Sequence, residues 1–454
     1  MWICTNPCGF DYLRKVLTTP YTKIMISWMS LEFEYCTRFC GLRIVANTSQ
    51  TKIMKGSIIM ILIGIDIGKS SHTFCILNQT TGEEIVSPTN IKNNKSGFEI
   101  LLSKVKNYKK EDVLFGMEDT GHYHFALLKT LLSKNYTVAL INPVATDMTR
   151  KMQGGISKND NLDSYTICDV ISSNSRRKPY RITKIDKFDL FEQRELTRHH
   201  HNLKEELNVY TNRLQKCIDI VFPEFNSLFD SKYGIVYMNV LKTFGSASNI
   251  AKADIRTIRK YFEFKGKGKR IALTPETLKD VAKNSIGIDS ISEVIQIKHL
   301  ILQIELINEQ LEEIDEKIEE FSRQTNSPIL TIPGISHFSG TSILSEFGNI
   351  SNYSNAKKLI KFAGVAPYEH QSSQYKAEHT SITKKGSKYL RKTLYQIITP
   401  VIKCNEVFKT YYLLKISQGK SHRCAQGHCV RKLLRVIYHL CTTENAVFDA
   451  SLLK

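Results

Sequence analysis

The chain has 454 residues, with 63 Lys and Arg against 44 Asp and Glu, and a formal net charge of +19. This length accommodates two or three domains of ordinary size. So large a positive excess favours a nucleic-acid partner, because Lys and Arg displace the counterions that condense on phosphates. No segment reaches the roughly 20 apolar residues that span a bilayer, which argues against a membrane partner. Eleven cysteines in a chain of this length are not typical of a disulfide framework, and we expect a reduced, cytoplasmic, nucleoid-associated protein.

The first 59 residues differ from the rest of the chain. They hold four of the eleven cysteines, which are Cys4, Cys8, Cys36 and Cys40. Every recognisable strand or helix pattern begins at about Met60. We therefore expect residues 1–59 to be an extension that the working protein does not need.

From Met60 onward the hydrophobic pattern becomes regular. Strands are predicted at Ile61–Ile67, His72–Leu77, Glu84–Ile91, Val113–Met117 and Thr137–Ile141. Helices are predicted at Ser96–Tyr108 and His124–Ser133. Three strands followed by alternating helix and strand predict a mixed α/β sheet of the ribonuclease-H type, a RuvC-like domain over residues 60–185.

The middle of the chain, residues 186–325, is predicted to be helical. Apolar residues recur in steps of four and three from Leu196 to Val221, and again from Leu300 to Phe321. These are heptad seams, and two interpretations stay open: a helical hairpin within the chain, or a coiled coil between subunits. The run His199-His200-His201 lies inside the first seam. Because adjacent helical residues point to different faces, we expect a solvated face there rather than a metal site.

The last part of the chain, residues 326–454, is predicted to be a mostly α-helical domain. Pro333-Gly334 precedes an apolar helix that ends at Phe347-Gly348. A Pro-Gly turn before a short helix is similar to the turn of helix-hairpin-helix modules, whose backbone N–H groups hold a DNA phosphate. A simple loop between two helices is the alternative.

Four acidic residues are candidates for a metal site. Asp66 lies within a strand that is otherwise apolar, where a carboxylate is unfavourable unless it is paired or metal-bound. Glu118 follows the strand that begins at Val113, and Asp160 and Asp163 are spaced to share one helix face. Carboxylates that meet at one sheet edge bind a hard cation, for which Mg²⁺ is the default. Such ions support the cleavage of phosphodiesters.

These acidic residues resemble the DEDD tetrad of the insertion sequence 110 family of transposases, the bridge-RNA-guided recombinases. Motifs in the second half of the chain agree with that family in order and spacing. They are Ile332-Pro333-Gly334-Ile335, Phe362-Ala363-Gly364-Val365-Ala366-Pro367, Thr383-Lys384-Lys385-Gly386 and Leu390-Arg391. The resemblance covers about residues 60–454, with only a loose match in the middle helical region.

The resemblance implies a serine nucleophile, which falls on Ser372 by its spacing from Pro367 and from Lys384. Many relatives have glycine at the next position, whereas this chain has Ser373, which stays open as the alternative. A serine hydroxyl needs activation before it attacks a phosphate, and nearby positive charge neutralises the developing negative charge. The basic residues predicted to do this, and to bind nucleic acid, are Lys376, Lys384, Lys385, Lys388, Arg391 and Lys392.

The resulting hypothesis is a recombinase that cuts and rejoins DNA through Mg²⁺ and a covalent serine–DNA intermediate. The resemblance also implies a structured guide RNA and a homo-oligomer in which dimers form a tetramer. Two alternatives stay open. One is a RuvC-like structure-specific nuclease in which water attacks the phosphate, and the other is an inactive nucleic-acid-binding remnant.

Overall fold

The computed structural model describes residues 60–154, 159–173, 178–183, 188, 190–230, 232–262, 272–368, 371–372, 375–376 and 381–452. Residues 371–372 and 375–376 are described by their backbone alone. The described residues from Ile61 onward belong to one structural unit. The expected dispensable extension, residues 1–59, lies outside the described residues.

A mixed sheet carries the first part of the chain. Its strands are β1 (Ile61–Ile67), β2 (Ser71–Asn78), β3 (Glu84–Lys92), β4 (Val113–Glu118), β5 (Thr137–Ile141) and β6 (Tyr180–Thr183). They lie in the order β3-β2-β1-β4-β5-β6. β1, β4 and β5 are mutually parallel, while the outer strands pair antiparallel. The five predicted strands are confirmed. β6 was not predicted, because it has only four residues and a largely exposed pattern.

Helices cover both faces of this sheet. They are α1 (Lys95–Val105), α2 (Phe125–Ser133), α3 (Pro143–Met152) and α4 (Asp160–Ser172). The odd-numbered residues of β1, such as Ile63, are buried in one core with Leu101 of α1 and Leu128 of α2. The even-numbered residues of β1 face α4, because side chains alternate along a strand. The predicted mixed α/β region is confirmed, and α4 lies on the face opposite α1 and α2.

Helices dominate the middle of the chain. They are α5 (Phe191–Val221), α6 (Ile235–Phe244), α7 (Ala247–Lys252), α8 (Ile255–Lys260), α9 (Pro275–Lys283) and α10 (Ile291–Thr325). α5 and α10 pack antiparallel: Leu203 lies with Ile318 in one core, and Ile218 lies with Ile297 in the next. The heptad seams therefore form a hairpin within the chain, and a coiled coil between subunits stays a prediction. In the described part of the chain, no helix combines the length and the apolarity that crossing a membrane requires.

The C-terminal helices share a single core. They are α11 (His337–Phe347), α12 (Ala356–Phe362), α13 (Lys388–Cys404), α14 (Glu406–Ser417) and α15 (His422–Thr442). The Pro-Gly turn before α11 packs on α13, since a Cβ on Gly334 would lie 2.7 Å from the backbone nitrogen of Val401. The N–H of Ser336 and the N–H of Ser339 each donate to the other residue's hydroxyl. A phosphate contact at this turn stays a prediction.

The histidine run corrects one expectation. His199 is exposed, but His200 and His201 are buried, so the prediction of a solvated face is wrong for those two. The reason is that α5 is covered on two sides. His200 lies 3.3 Å from Asp315 of α10, and His201 lies 3.0 Å from the Thr393 hydroxyl of α13. Burial lowers the pKa of each histidine to about 4, so both are neutral at pH 7.

Candidate functional site

Two glycines lie side by side in the centre of the sheet. Gly64 of β1 and Gly116 of β4 are register partners. A Cβ on Gly64 would lie 2.0 Å from the carbonyl oxygen of Ser164, and one on Gly116 would lie 3.0 Å from Ile167. Only glycine lets a helix approach a strand backbone this closely. α4 therefore rests directly on β1 and β4.

The first two acidic residues lie just beyond these glycines. Asp66 and Glu118 are each two residues further along their strands, so they lie on the face that α4 covers. β1 and β4 are parallel and paired up to Ile65 and Met117, which brings both carboxylates to the same edge of the sheet. Both residues are half-buried.

The other two acidic residues begin α4. Asp163 directly precedes Ser164, which contacts the glycine backbone, and Asp160 lies one turn earlier. Asp163 is buried and Asp160 is exposed. Asn159 caps this helix by accepting a hydrogen bond from the N–H of Asn161 at 3.0 Å. The fold thus brings the first turn of α4 towards the edge that carries Asp66 and Glu118, and a metal site formed by all four carboxylates stays a prediction.

Helix α3 supplies partners to two of these carboxylates. The Arg150 guanidinium contacts one oxygen of Asp163, from Nη2 at 2.8 Å and from Nε at 3.0 Å. The Thr146 hydroxyl donates to Oε1 of Glu118, and the Thr120 hydroxyl donates to Oε2 at 3.0 Å. Both carboxylates are therefore neutralised or hydrogen-bonded by the protein itself.

Four carboxylates are a donor set that suits a hard divalent cation such as Mg²⁺. The spacing of these side chains in the structure is less favourable for a metal ion. Among the described residues, no three Asp, Glu, His or Cys side chains lie close enough together to hold a metal ion. Asp163 is already paired with Arg150, which a cation at this edge would have to displace. The chemistry of the set fits Mg²⁺, whereas in this structure Asp163 is paired with the guanidinium of Arg150.

Arg150 and Thr146 were not among the residues predicted from the sequence. Their signal is present in the sequence, because Asn142-Pro143 is typical of a helix start, with Asn as the cap and Pro in the first turn. Thr146 and Arg150 lie four residues apart on that helix, so they share a face. The sequence did not show that this helix face packs against the sheet edge that carries Asp66 and Glu118.

The predicted nucleophile lies between two chain segments, residues 364–368 and 381–384, that hydrogen-bond to each other, and we call residues 364–384 the serine hairpin. At its base, the N–H of Tyr368 donates to the Ser381 carbonyl at 2.8 Å, and the N–H of Thr383 donates to Ala366 at 2.9 Å. Further out, the two-residue strands β7 (Gln371–Ser372) and β8 (Tyr375–Lys376) pair antiparallel, with Ser372 opposite Tyr375. Ser372 is therefore the last residue of β7. Ser373 lies outside the described residues.

Two glycines close the base of the serine hairpin. A Cβ on Gly364 would lie 2.4 Å from the Lys385 carbonyl oxygen, and one on Gly386 would lie 2.1 Å from that of Phe362. Both glycines have positive φ, and so does Lys384, at 52°. A non-glycine residue in this region is uncommon and is often found at a functional site. The two ends of the hairpin are thus held against each other and against α12.

The predicted nucleic-acid-binding residues fall into three groups. Lys384, Lys385 and Lys388 are exposed where the hairpin joins α13. Arg391 and Lys392 are half-buried, with Arg391 Nη1 donating to the Gly386 carbonyl at 2.8 Å and Lys392 paired with Glu205 at 3.0 Å. Lys376 is placed by its backbone alone, in β8.

Two relatives match only one part of this protein. The pilin gene-inverting proteins of Moraxella bovis and Moraxella lacunata are each 30% identical to it over 127 residues. The match covers 27% of this chain and 38% of each of those relatives. The chain thus spans well under half of the length of these curated relatives.

A third relative matches over most of the chain. The insertion element IS116 uncharacterized 44.8 kDa protein of Streptomyces clavuligerus is 21% identical over 396 residues. That match covers 83% of this chain and 94% of the relative. The likeness therefore extends through the sheet, the middle helices and the C-terminal helices.

Family models match both the segment with the four acidic residues and the segment with the serine hairpin. A DEDD transposase model of the IS110 group, described as "Transposase", matches residues 63–223, which include all four acidic residues. A second model, "Transposase IS116/IS110/IS902 family", matches residues 326–413, which include the serine hairpin. Together the two matches cover more than half of the chain. The chain belongs to the IS116/IS110/IS902 family of transposases.

Proposed function

We propose that this protein is a DNA transposase that cuts and rejoins strands through a covalent bond between Ser372 and DNA. The observation that carries the proposal is that two family matches contain, respectively, the acidic sheet edge and the serine hairpin. The strand order supports a ribonuclease-H-like, RuvC-like domain over residues 60–185. In this proposal, a helical region over residues 186–325 and a serine-bearing domain over residues 326–454 follow it.

The chemistry of the serine is a balanced exchange of esters. The Ser372 oxygen attacks a phosphorus atom of DNA, an O–P bond forms, and the bond to one deoxyribose oxygen breaks. The serine proton leaves to a base, and the departing oxygen takes up a proton. The reverse reaction with a new DNA hydroxyl rejoins the strand without ATP, because the phosphodiester energy is retained.

The acidic residues have a separate role in this proposal. Asp66, Glu118, Asp160 and Asp163 would hold Mg²⁺, and DEDD transposases are usually metal-dependent. A bound Mg²⁺ supplies Lewis-acid stabilisation of charge on the phosphate. Thr146 and Thr120 orient the Glu118 carboxylate, and Arg150 balances Asp163 until a cation binds.

The partners follow from the same family membership. DNA is the substrate in this proposal, a structured RNA selects the sites, and subunits associate as dimers or tetramers. The net charge of +19 supports a polyanionic partner. The Moraxella relatives are named for inverting a gene, and an inversion requires rejoining as well as cutting. This favours recombination over the hydrolytic nuclease.

A plasmid assay tests the proposal. The gene with its native flanking DNA is placed on a plasmid, and rejoined junctions are sequenced after expression. We expect new junctions from the wild-type protein and from Glu99→Gln, which changes an exposed carboxylate of α1. Asp66→Asn and Ser372→Ala should give none. Broken DNA without junctions would favour the nuclease, and DNA binding without any product would favour the inactive remnant.

A further inference from the structure

A groove of about 1510 Å³ lies between the base of the serine hairpin, α13 and α15. One wall contains cations that the sequence assigns to nucleic-acid binding: Lys384, Lys388, Arg391 and Lys392. The opposite wall is formed by α15 and the turn before it, and it adds Lys420, Arg423 and Arg431. None of the described residues that line the groove is Asp or Glu.

The charge within this groove is compensated only in part. Lys392 has an ion pair with Glu205 at 3.0 Å, reached from outside the groove. Burial and the neighbouring Arg431, Lys415 and Lys420 lower the pKa of His428 to about 4, so this histidine is neutral at pH 7. A cleft lined by one sign of charge attracts the opposite charge strongly. The groove is therefore built for a polyanion.

The floor of the groove has an aromatic surface. Tyr395 of α13 is half-buried there, and the Arg423 guanidinium lies over its ring at 5.6 Å from the centroid. Gly427 of α15 lies beneath the Tyr395 hydroxyl, since a Cβ at Gly427 would come within 3.1 Å of that oxygen. An aromatic ring beside cationic groups is a common element of surfaces that bind nucleic-acid strands.

Two arginines connect the groove to the serine hairpin. Arg391 Nη1 donates to the Gly386 carbonyl at 2.8 Å, and Arg431 Nη1 donates to the Val365 carbonyl at 3.4 Å. Val365 lies at the first end of the hairpin, and Gly386 lies just beyond its second end. Because a guanidinium has five N–H donors in a planar fork, each arginine retains donors for a phosphate while it holds the hairpin.

We propose that this groove binds the phosphate backbone of the DNA strand that is cut, and that Arg391 and Arg431 position the serine hairpin when the strand is bound. The proposal rests on the proposed function, because it identifies the strand as the substrate of Ser372. It adds a second wall, on α15, to the contact predicted from the sequence. Both arginines are positioning residues, since they act on Ser372 through the hairpin backbone.

The first experiment tests the α15 wall. The affinity of the full chain for a labelled duplex from the DNA flanking the gene is measured at several salt concentrations. The logarithm of the binding constant falls as the logarithm of the salt concentration rises. Each lost phosphate contact should make this slope less steep by about 0.9. We expect this reduction for Lys420→Ala and for Arg423→Ala. The control Lys403→Ala, exposed in the last turn of α13, should keep the wild-type slope.

The second experiment tests the coupling to the hairpin. Hydrogen exchange is followed at the amides of Tyr368 and Thr383, which bond across the hairpin base. The duplex should slow exchange at both amides in the wild-type protein. The double variant Arg391→Lys/Arg431→Lys keeps both charges but loses the planar fork. It should bind the duplex more weakly than the wild-type protein, unfold at nearly the same temperature, and show no slowing even at a duplex concentration that saturates it.

The outcomes distinguish a failure of this proposal from a failure of the proposed function. Unchanged salt slopes in the α15 variants, or equal slowing in the double variant, would overturn it. The proposal would also be overturned if an RNA of the same sequence slowed exchange at these two amides and the duplex did not. Ser372→Ala should retain both the slope and the slowing. Failure to form a serine–DNA bond would therefore refute the proposed function without refuting the groove.

Discussion

The Arg150 guanidinium holds one oxygen of the buried Asp163 carboxylate with two nitrogens, at 2.8 and 3.0 Å. This contact joins α3 to the first turn of α4, at the sheet edge that carries Asp66 and Glu118. It supplies a positive charge where several carboxylates would otherwise repel one another. A divalent cation would bring the same kind of compensation, so in the proposed function Arg150 and the metal ion would compete for one carboxylate.

Replacing Arg150 with Ala should destabilise the protein and strengthen its response to Mg²⁺. Removing one partner of a buried ion pair leaves an uncompensated charge and costs about 3–5 kcal/mol; because Arg150 is 19% exposed, we expect the lower part of that range. Thermal unfolding with EDTA and with Mg²⁺ measures both effects. Lys151→Ala is the control, since that side chain is 72% exposed. An Arg150→Ala protein as stable as this control, and unaffected by Mg²⁺, would contradict the arrangement.

Gly64→Ala should displace α4 from the sheet. Its new methyl carbon would lie 2.0 Å from the Ser164 carbonyl oxygen, so the helix that carries Asp160 and Asp163 must move. We expect a loss of about 2 kcal/mol or more in the free energy of unfolding, at the upper end of overpacking effects. Denaturant unfolding provides the measurement.

Gly82→Ala is the matched control for that substitution. It adds the same methyl group where nothing lies within 4 Å, although its φ of +71° carries a cost of its own. We expect a loss of about 1 kcal/mol there. Equal losses at the two positions would show that the close approach of α4 to β1 is not what Gly64 provides.

Stability should fall as the pH is lowered from about 6.5 to about 4. The pKa values of His200 and His201 are lowered to about 4 in the folded protein, while unfolded histidine takes up a proton near 6.5. The unfolded state therefore binds more protons across this window, and protonation favours unfolding. Above about pH 6.5 the full contribution of the two histidines to the free energy of unfolding is present. Each unit of pKa difference corresponds to about 1.4 kcal/mol per histidine.

Denaturant unfolding at several pH values measures this effect. His200→Gln should reduce the slope of stability against pH without abolishing it, because His201, His72 and His428 also have lowered pKa values. His199→Gln, at an exposed position, should leave the slope unchanged. A flat profile in the wild-type protein would contradict the neutral burial of these histidines.

Much of this architecture follows from local patterns in the sequence. The strands β1 to β5 were predicted within a residue or two, because their apolar runs are bounded by turn residues. The spacing of Asp160 and Asp163 predicts that they share one helix face, and the structure places both in the first turn of α4. The meeting of Asp66 and Glu118 at one edge follows from parallel strands, which end at the same side of a sheet.

Tertiary contacts account for what the sequence did not predict. His200 and His201 resemble any other polar run in the sequence. Their burial depends on contacts with Asp315 of α10 and Thr393 of α13, each more than a hundred residues away. Arg150 finds Asp163 only after α3 and α4 pack together. The heptad seams predict that α5 and α10 bury one face each, but the pattern is the same for a partner within the chain and for one in another subunit.

The most direct test of the account asks whether Ser372 becomes attached to DNA. The full chain is incubated with Mg²⁺ and a duplex from the flanking DNA, digested with protease, and analysed by mass spectrometry for a peptide that carries a nucleotide. We expect the modification on Ser372, its loss in Ser372→Ala, and its retention in Ser373→Ala. Both variants should still bind the duplex. A nucleotide on Ser373 would move the nucleophile by one residue, and cleavage of the duplex without any attached peptide would contradict the covalent mechanism itself.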